Sequence, residues 1–514
     1  MNYPCGRRRA KGVTMKKLFT CLMILALLLC AVSFASAETI VSEGDRNIQP
    51  AALQKDGNFA LNPVIEGESP TTGLPWTGRY QPVLVQFDNS YGGVDKVRHW
   101  GIADADVVYE TLLHSNGLTR ISALFSDKMP EAAGPIRSTR LAHAWIRQEW
   151  QAGFCFYGMQ TAQYTNVKEE FNRLGLATTK LGILFDGTVG NAKPWKKFYA
   201  RVAGLASPHN AEVNVAAIQE LIDPETFPAT PRPFLFSDTK PAEGDFAEFI
   251  WIENKQKMSI SPSYIYNVDE NVYYRYVGGE PYYDKELGPE EGHLAYAHVI
   301  VQRCDTSFEH GSACPVTPLA LKKGVAKGNA DIFMGGRYIA GYWMRTGMDE
   351  RTVFLDANGN EIAFQRGKTF IQVVNNSAEV TYSCDEDVLA QLLAEAQDTI
   401  DAERAAEDTD DEDLLDSTGE EATGAPDETA GTVEAAPDTA TEAAEGPVIF
   451  EEHLWGKTNA AVKVRKGPSK KDSVVGTMKK REKVTVLGED GDWYVIYYKG
   501  EQRYVMKEFV DIDK

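Results

Sequence analysis

The sequence predicts a multidomain α+β protein: an α/β-type N-terminal domain, a mainly antiparallel β second domain, an acidic disordered linker and a small C-terminal β-barrel. Three patterns carry this prediction. Residues 63–230 alternate strand-like runs with helical spacing, residues 231–387 are strand-like up to a closing helix, and residues 449–514 alternate apolar and polar side chains between turn signals. The chain has 514 residues, 43% hydrophobic and 25% charged, a globular composition that excludes fibrous, polytopic-membrane and wholly disordered classes. A formal charge of −21 also opposes a nucleic-acid partner, because backbone binding needs a basic surface that displaces counterions.

In chain order, Met15-Lys16-Lys17 precedes an apolar run from Leu18 to Ala35 that ends in Ala35-Ser36-Ala37, the order of a secretory signal. Cleavage is expected before Glu38, and no basic cluster follows to hold the segment in a bilayer, so no transmembrane segment is expected after cleavage. Loss of residues 1–37 removes six basic and no acidic residues, taking the charge from −21 to −27, and leaves Cys155, Cys304, Cys314 and Cys384. The alternative, a lipid anchor at Cys30, is opposed by Leu28-Leu29 where small residues belong. Residues 38–62 read as an N-terminal tail.

Strands are expected at 81–89, 105–110 and 118–125, the first closing on the polar pair Asp88-Asn89. One helix is expected from Leu141, and another from Asn210, an N-cap type, through Val213, Val215, Ile218 and Leu221. In the second part 272–277, 298–302, 330–334 and 369–374 are strand-like, with hairpin turns at Gly335-Gly336 and Asn358-Gly359. A helix near Val388 leads into the linker of residues 388–448. Its stretch from Asp401 to Gly446 has seventeen acidic residues, one Arg and almost no large apolar side chain, so the entropy of ordering cannot be recovered. The tail at 449–514 carries fourteen Lys and Arg against eleven Asp and Glu and reads as a barrel of five or six strands.

VKVRKGPS, VVGTMKK, KVTVL, DWYVI and the final YV make this tail resemble a bacterial SH3-like (SH3b) domain. That resemblance implies binding to peptidoglycan or a cell-wall peptide, with Trp493 and Tyr504 as candidate wall-binding aromatics. The larger part of the chain resembles the YerB family of exported bacterial proteins, often lipoproteins, which have separate N- and C-terminal parts. The motifs are PVLVQFDN, ADVVYE, LTRISALF, GPIRSTR and SPHN, then YYRYVGGEPYYD, HVIVQ, GGRYIAGYWMR, RTVFLDANGNEI and GKTFIQVV. The family implies location outside the cytoplasm and supplies no activity to transfer; with the SH3-like tail, the expected location is secreted and cell-wall associated.

From the residues themselves, the polar group to weigh is Asp88, Asn89, Glu110, Arg120, Arg137, Ser138, Arg140, His209 and Asn210, placed at strand ends and the loops after them. The three arginines suit bidentate contact with a carboxylate or phosphate, and Asp88, Glu110 and His209 suit acid–base work. A purely structural arrangement has Asp88-Asn89 in a turn, Glu110 paired with Arg120 across adjacent strands and Asn210 capping a helix. No H-E-x-x-H, G-x-S-x-G or Walker sequence occurs, and no metal or cofactor is expected. Cys304 and Cys314 are spaced for a disulfide in an oxidising compartment. The expected role is a non-enzymatic envelope protein that binds a wall component or partner protein and is tethered by its SH3-like domain. The alternative is a wall-acting hydrolase or transferase using Asp88 or Glu110.

Overall fold

Seven-residue strands buried along almost their whole length dominate the larger part of the chain. The computed structural model describes residues 38–40, 53–54, 57–89, 98–113, 118–162, 165–176, 182–205, 207–253, 261–304, 306–309, 314–316, 325–407, 448–459, 462–470, 472–480, 482–498 and 501–512. The signal segment, its cleavage site and Cys30, together with most of the acidic linker, lie outside the described residues. Residues up to the linker form one compact unit and the C-terminal residues another.

The central sheet of the first unit contains β1 (Val83–Asn89), β2 (Val107–Leu112), β3 (Thr119–Phe125), β4 (Gly153–Phe156), β5 (Leu184–Asp186), β6 (His298–Cys304), β7 (Ala326–Met334), β8 (Arg337–Arg345) and β9 (Thr369–Asn375). Their order is β8-β7-β6-β9-β2-β3-β1-β4-β5, with short strands at Asp245–Phe246 and Val353–Leu355 flanking β8. β9 runs parallel to both β6 and β2, so the closing strand of the second part inserts beside a strand of the first. The boundary expected near residue 230 therefore does not separate two sheets. The second part is mainly antiparallel, as expected, with β6, β7 and β8 antiparallel neighbours and the β6–β9 pairing parallel. Hydrophobic pattern specifies a strand's exposure but not its partner, and a parallel partner can come from any distance along the chain.

β1, β2, β3, β6 and β9 are buried on both faces. A second, antiparallel sheet built around Phe249–Glu253, Pro262–Asn267, Val272–Val277 and Glu379–Ser383 covers one face. There the rings of Tyr264 and Tyr296 lie 5.7 and 5.0 Å from Phe370 of β9. Helix α1 (Leu141–Trp150) covers the other face, where Trp150 Nε1 donates to Tyr109 OH at 2.9 Å. The N-terminal tail is anchored, since Phe59 packs in a small cluster with Val353 and Leu355.

The expected helix at Asn210 is displaced. Ala211–Val213 is a strand paired with Tyr199–Arg201, and the helix is Val215–Gln219, capped by Asn214, whose side chain accepts from Ala217 N at 2.8 Å. Val213 and Val215 suited either period, and β-branched residues favour a strand where a partner lies alongside. Asn214→Ala should cost about 1 kcal/mol, read from thermal unfolding, as loss of an N-cap does. The hairpin at Gly335-Gly336 is as expected: φ of 62° and 74° at the two residues suits the twist of β7 and β8. The closing helix spans Glu386–Glu407 and so runs past Asp401, where disorder was expected; its acidic first turn suits a helix N-terminus.

The C-terminal unit is an antiparallel sheet of seven strands, one or two more than expected, around a core that includes Val464, Val486, Ile496 and Val505. Beyond the runs read from the sequence it has strands at Val448–Thr458, Val474–Met478 and the short Val510–Ile512.

Candidate functional site

Strand register decides which predicted site residues meet. Asp88 of β1 lies directly opposite Arg120 of β3, and Arg120 opposite Thr111 of β2, so these three share the α1 face. Glu110 stands one residue earlier than Thr111 and so projects to the other face, because side chains alternate along a strand. Asn89 and Thr119 share that other face with Glu110. The expected cross-strand pair of Glu110 with Arg120 therefore does not form, and the two carboxylates read as acid–base partners sit on opposite sides of one sheet.

On the α1 face, Asp88 is the hub. Arg120 and His209 Nδ1 both donate to it in short contacts, and Arg137 Nε lies 3.4 Å from its Oδ2. All four residues are at most 5% exposed. Burial alone would raise the Asp88 pKa, but Arg120, the His209 hydrogen bond and Arg137 outweigh it and hold the carboxyl well below the usual range. The carboxylate is thus held in its ionised form, which suits an anchor for cations and not a proton donor.

Two of the three arginines converge. Arg140 turns aside, giving Nη1 to Ser138 Oγ at 2.6 Å and Thr139 O at 3.1 Å, which uses Ser138 as a local prop. The Arg140 backbone N–H donates to His143 Nδ1 at 3.0 Å, so Nε2 carries the proton toward Thr111 Oγ1 at 3.0 Å. Burial, then the charges of Arg140 and Arg120, hold His143 well below its ordinary pKa and keep it neutral. Asn210 does not reach the hub: it accepts from Arg201 at 2.6 Å and donates to Leu205 O at 3.1 Å.

The Glu110 cluster was only partly foreseen. Oε1 accepts from Asn89 at 3.1 Å and Thr119 at 2.7 Å, while Oε2 accepts from Arg275 at 2.8 Å and Gln372 at 2.9 Å. Arg275 comes from the covering sheet, also donates to Tyr264 OH at 2.6 Å, and lies 4.5 Å over the Phe370 ring. Sequence reasoning missed Arg275, yet a signal was present. In Val272–Val277 it occupies the buried phase with Tyr273 and Val277, and a charge in that phase needs a counter-charge. Gln372 and His143 carried no comparable mark. His99, also missed, donates to the Asp88 carbonyl and accepts from Tyr282 OH at 2.9 Å, tying the two clusters through the backbone.

The carboxylates at the centre of the two clusters, Asp88 and Glu110, are buried. A cleft of about 70 Å³, lined by Asn62, Glu68, Phe234, Phe236 and Arg366 among others, shares no residue with them. Cys304 is buried and its thiol donates to Val374 O at 3.6 Å, whereas the side chain of Cys314 lies outside the described residues, and with it the expected disulfide. In the C-terminal unit Trp493 is 7% exposed but is not among the residues of the hydrophobic core, while Tyr504 is half-buried. No described helix is long and apolar enough to cross a membrane.

Residues 71–227 match the N-terminal domain, and residues 252–371 the C-terminal domain, of a family described as "Protein of unknown function (DUF3048)"; residues 460–511 match a bacterial SH3 domain. A Bacillus subtilis protein described as "Putative lipoprotein YerB" is 24% identical over 337 residues, covering 62% of this chain and 90% of its own length. The crystal structure of Bacillus subtilis YerB aligns at 20% identity with a TM-score of 0.49, over 61% of this chain and 99% of the other. A structure of NlpC2 from Trichomonas vaginalis aligns over 12% of this chain and 24% of its own, at 18% identity with a TM-score of 0.12. The chain is a distant YerB homologue that joins the N- and C-terminal DUF3048 domains to a C-terminal bacterial SH3 domain.

Proposed function

We propose that this is an exported, non-enzymatic envelope protein whose body binds a wall component or partner protein while the SH3 domain tethers it to peptidoglycan. The observation that carries the reading is the SH3 domain at 460–511, a fold suited to cell-wall binding, attached to a body whose two candidate carboxylates are already committed. Asp88 is held ionised by Arg120, His209 and Arg137, Glu110 is held by Arg275 and Gln372, and a sheet separates them. A glycosidase pair needs both carboxyl groups on one open cleft, about 5 to 10 Å apart. That geometry speaks against the hydrolase alternative.

The test is co-sedimentation of the mature chain with purified peptidoglycan, with muropeptides in the supernatant measured from the same tube. Retention without product release is expected, and removal of residues 448–514 should weaken retention. Release of muropeptides would establish an enzyme, and undiminished retention without the SH3 domain would remove the tether. The relative's description as a lipoprotein supports a second attachment, a lipid at Cys30. Mass spectrometry of the mature N-terminus decides between Glu38, expected from Ala35-Ser36-Ala37, and a diacylated Cys30.

A further inference from the structure

The surface beside the His209 loop carries a run of basic residues bounded in sequence by Asp186 and Glu212. Residues 187–211 contain Lys193, Lys196, Lys197 and Arg201 and no Asp or Glu, in a sequence with 74 acidic residues among 514. The fold seats these cations on aromatic rings. Lys193 Nζ is 5.5 Å from the centre of Trp195, Lys197 Nζ 4.9 Å from Phe198, and Lys196 Nζ and the Arg201 guanidinium 5.5 and 4.7 Å from Tyr157. Among the described residues none of the four forms an ion pair: Lys196 donates to Gly187 O, and Arg201 to Ser207 Oγ and Asn210 Oδ1 at 3.3 and 2.6 Å. The apron also adjoins the buried hub, since Arg201 holds Asn210 next to His209, and Tyr157 N donates to Arg137 O at 3.0 Å.

We propose that this apron is a docking surface for a flexible, phosphate-bearing polyanion. None of the large apolar side chains that lie exposed falls between 187 and 211, so an acidic protein would find none of the apolar anchors that dominate protein interfaces. The ring faces are occupied by cations, so nucleic-acid bases lack the open platform that stacking requires. What remains is a set of positive charges seated on rings, which selects a polymer bringing repeated anions and little apolar surface. Lys ammonium groups act on phosphate as point charges, and Arg201 adds a planar fork. The surface belongs to the body and does not depend on the SH3 tether.

Binding of the full chain to long-chain inorganic polyphosphate, followed by fluorescence anisotropy at two salt concentrations, tests this. The combined Lys193→Gln, Lys196→Gln, Lys197→Gln and Arg201→Gln variant should bind at least about tenfold more weakly, with a log–log salt slope smaller by about three. Matching Lys463→Gln, Lys466→Gln, Lys470→Gln and Lys479→Gln changes in the SH3 domain should alter affinity less than about twofold by the same reasoning. The pair Lys193→Gln and Lys197→Gln, which removes no hydrogen bond seen here, should lose part of the affinity with the circular dichroism spectrum unchanged. Wild-type affinity in the four-site variant, or an equal loss in the SH3 variant, would overturn the surface. Equal binding of poly-glutamate would overturn the phosphate assignment.

Discussion

Asp88→Ala should destabilise the body by about 3–5 kcal/mol in urea unfolding at neutral pH, the cost of leaving buried cations without their counter-charge. The carboxylate is the shared acceptor for Arg120, His209 and Arg137, all within the sheet and its covering loops. The sign with pH follows from its depressed pKa. As pH falls below the unfolded value of about 3.9, the unfolded chain takes up a proton first and stability declines. The variant should lack that part of the acid limb. A loss below about 1 kcal/mol, the range of an exposed pair, would show that the cations are compensated from elsewhere.

Asp106 should produce the opposite slope. Its Oδ2 accepts from Ser126 N and Asp127 N at 2.6 and 3.0 Å, but burial and then the Asp127 charge push its pKa up to about 8. Asp127 is itself held by Ser69 at 2.6 Å and Thr72 at 2.7 Å, so the two carboxyl groups are fixed near each other. Between about pH 4 and 8 the folded chain keeps a proton that the unfolded chain has lost, and stability falls as pH rises through that window. A shift from 3.8 to about 8, at roughly 1.4 kcal/mol per unit, corresponds to an effect on the order of 6 kcal/mol. Asp106→Asn keeps an acceptor for both N–H groups and cannot ionise, so urea midpoints measured from pH 5 to 8.5 should flatten. Parallel curves for the two proteins would refute the assignment.

Local pattern made much of this protein legible. The runs at Val83–Asn89, Thr119–Phe125 and Val272–Val277 lay within a residue or two of their expected ends, and the Gly335-Gly336 turn was specified by the only residue type that adopts positive φ twice at little cost. The Asn210 helix failed because apolar spacing over a few residues fits both periods, and the strand at Tyr199–Arg201 that settles the choice is a tertiary neighbour.

What the sequence by itself determined is most of the long strands, the SH3-like tail and part of the polar group, with Asp88, Glu110 and Arg120 among the candidates. What only the tertiary structure decided is who meets whom. Parallel insertion of β9 between β6 and β2 joined the two parts into one sheet. A one-residue offset between Glu110 and Thr111 then sent Glu110 to Arg275 and left Arg120 to Asp88. The physical reason is that alternation fixes relative faces within a strand, whereas register between strands depends on packing with residues far away in the chain, such as Arg275, 165 positions from Glu110.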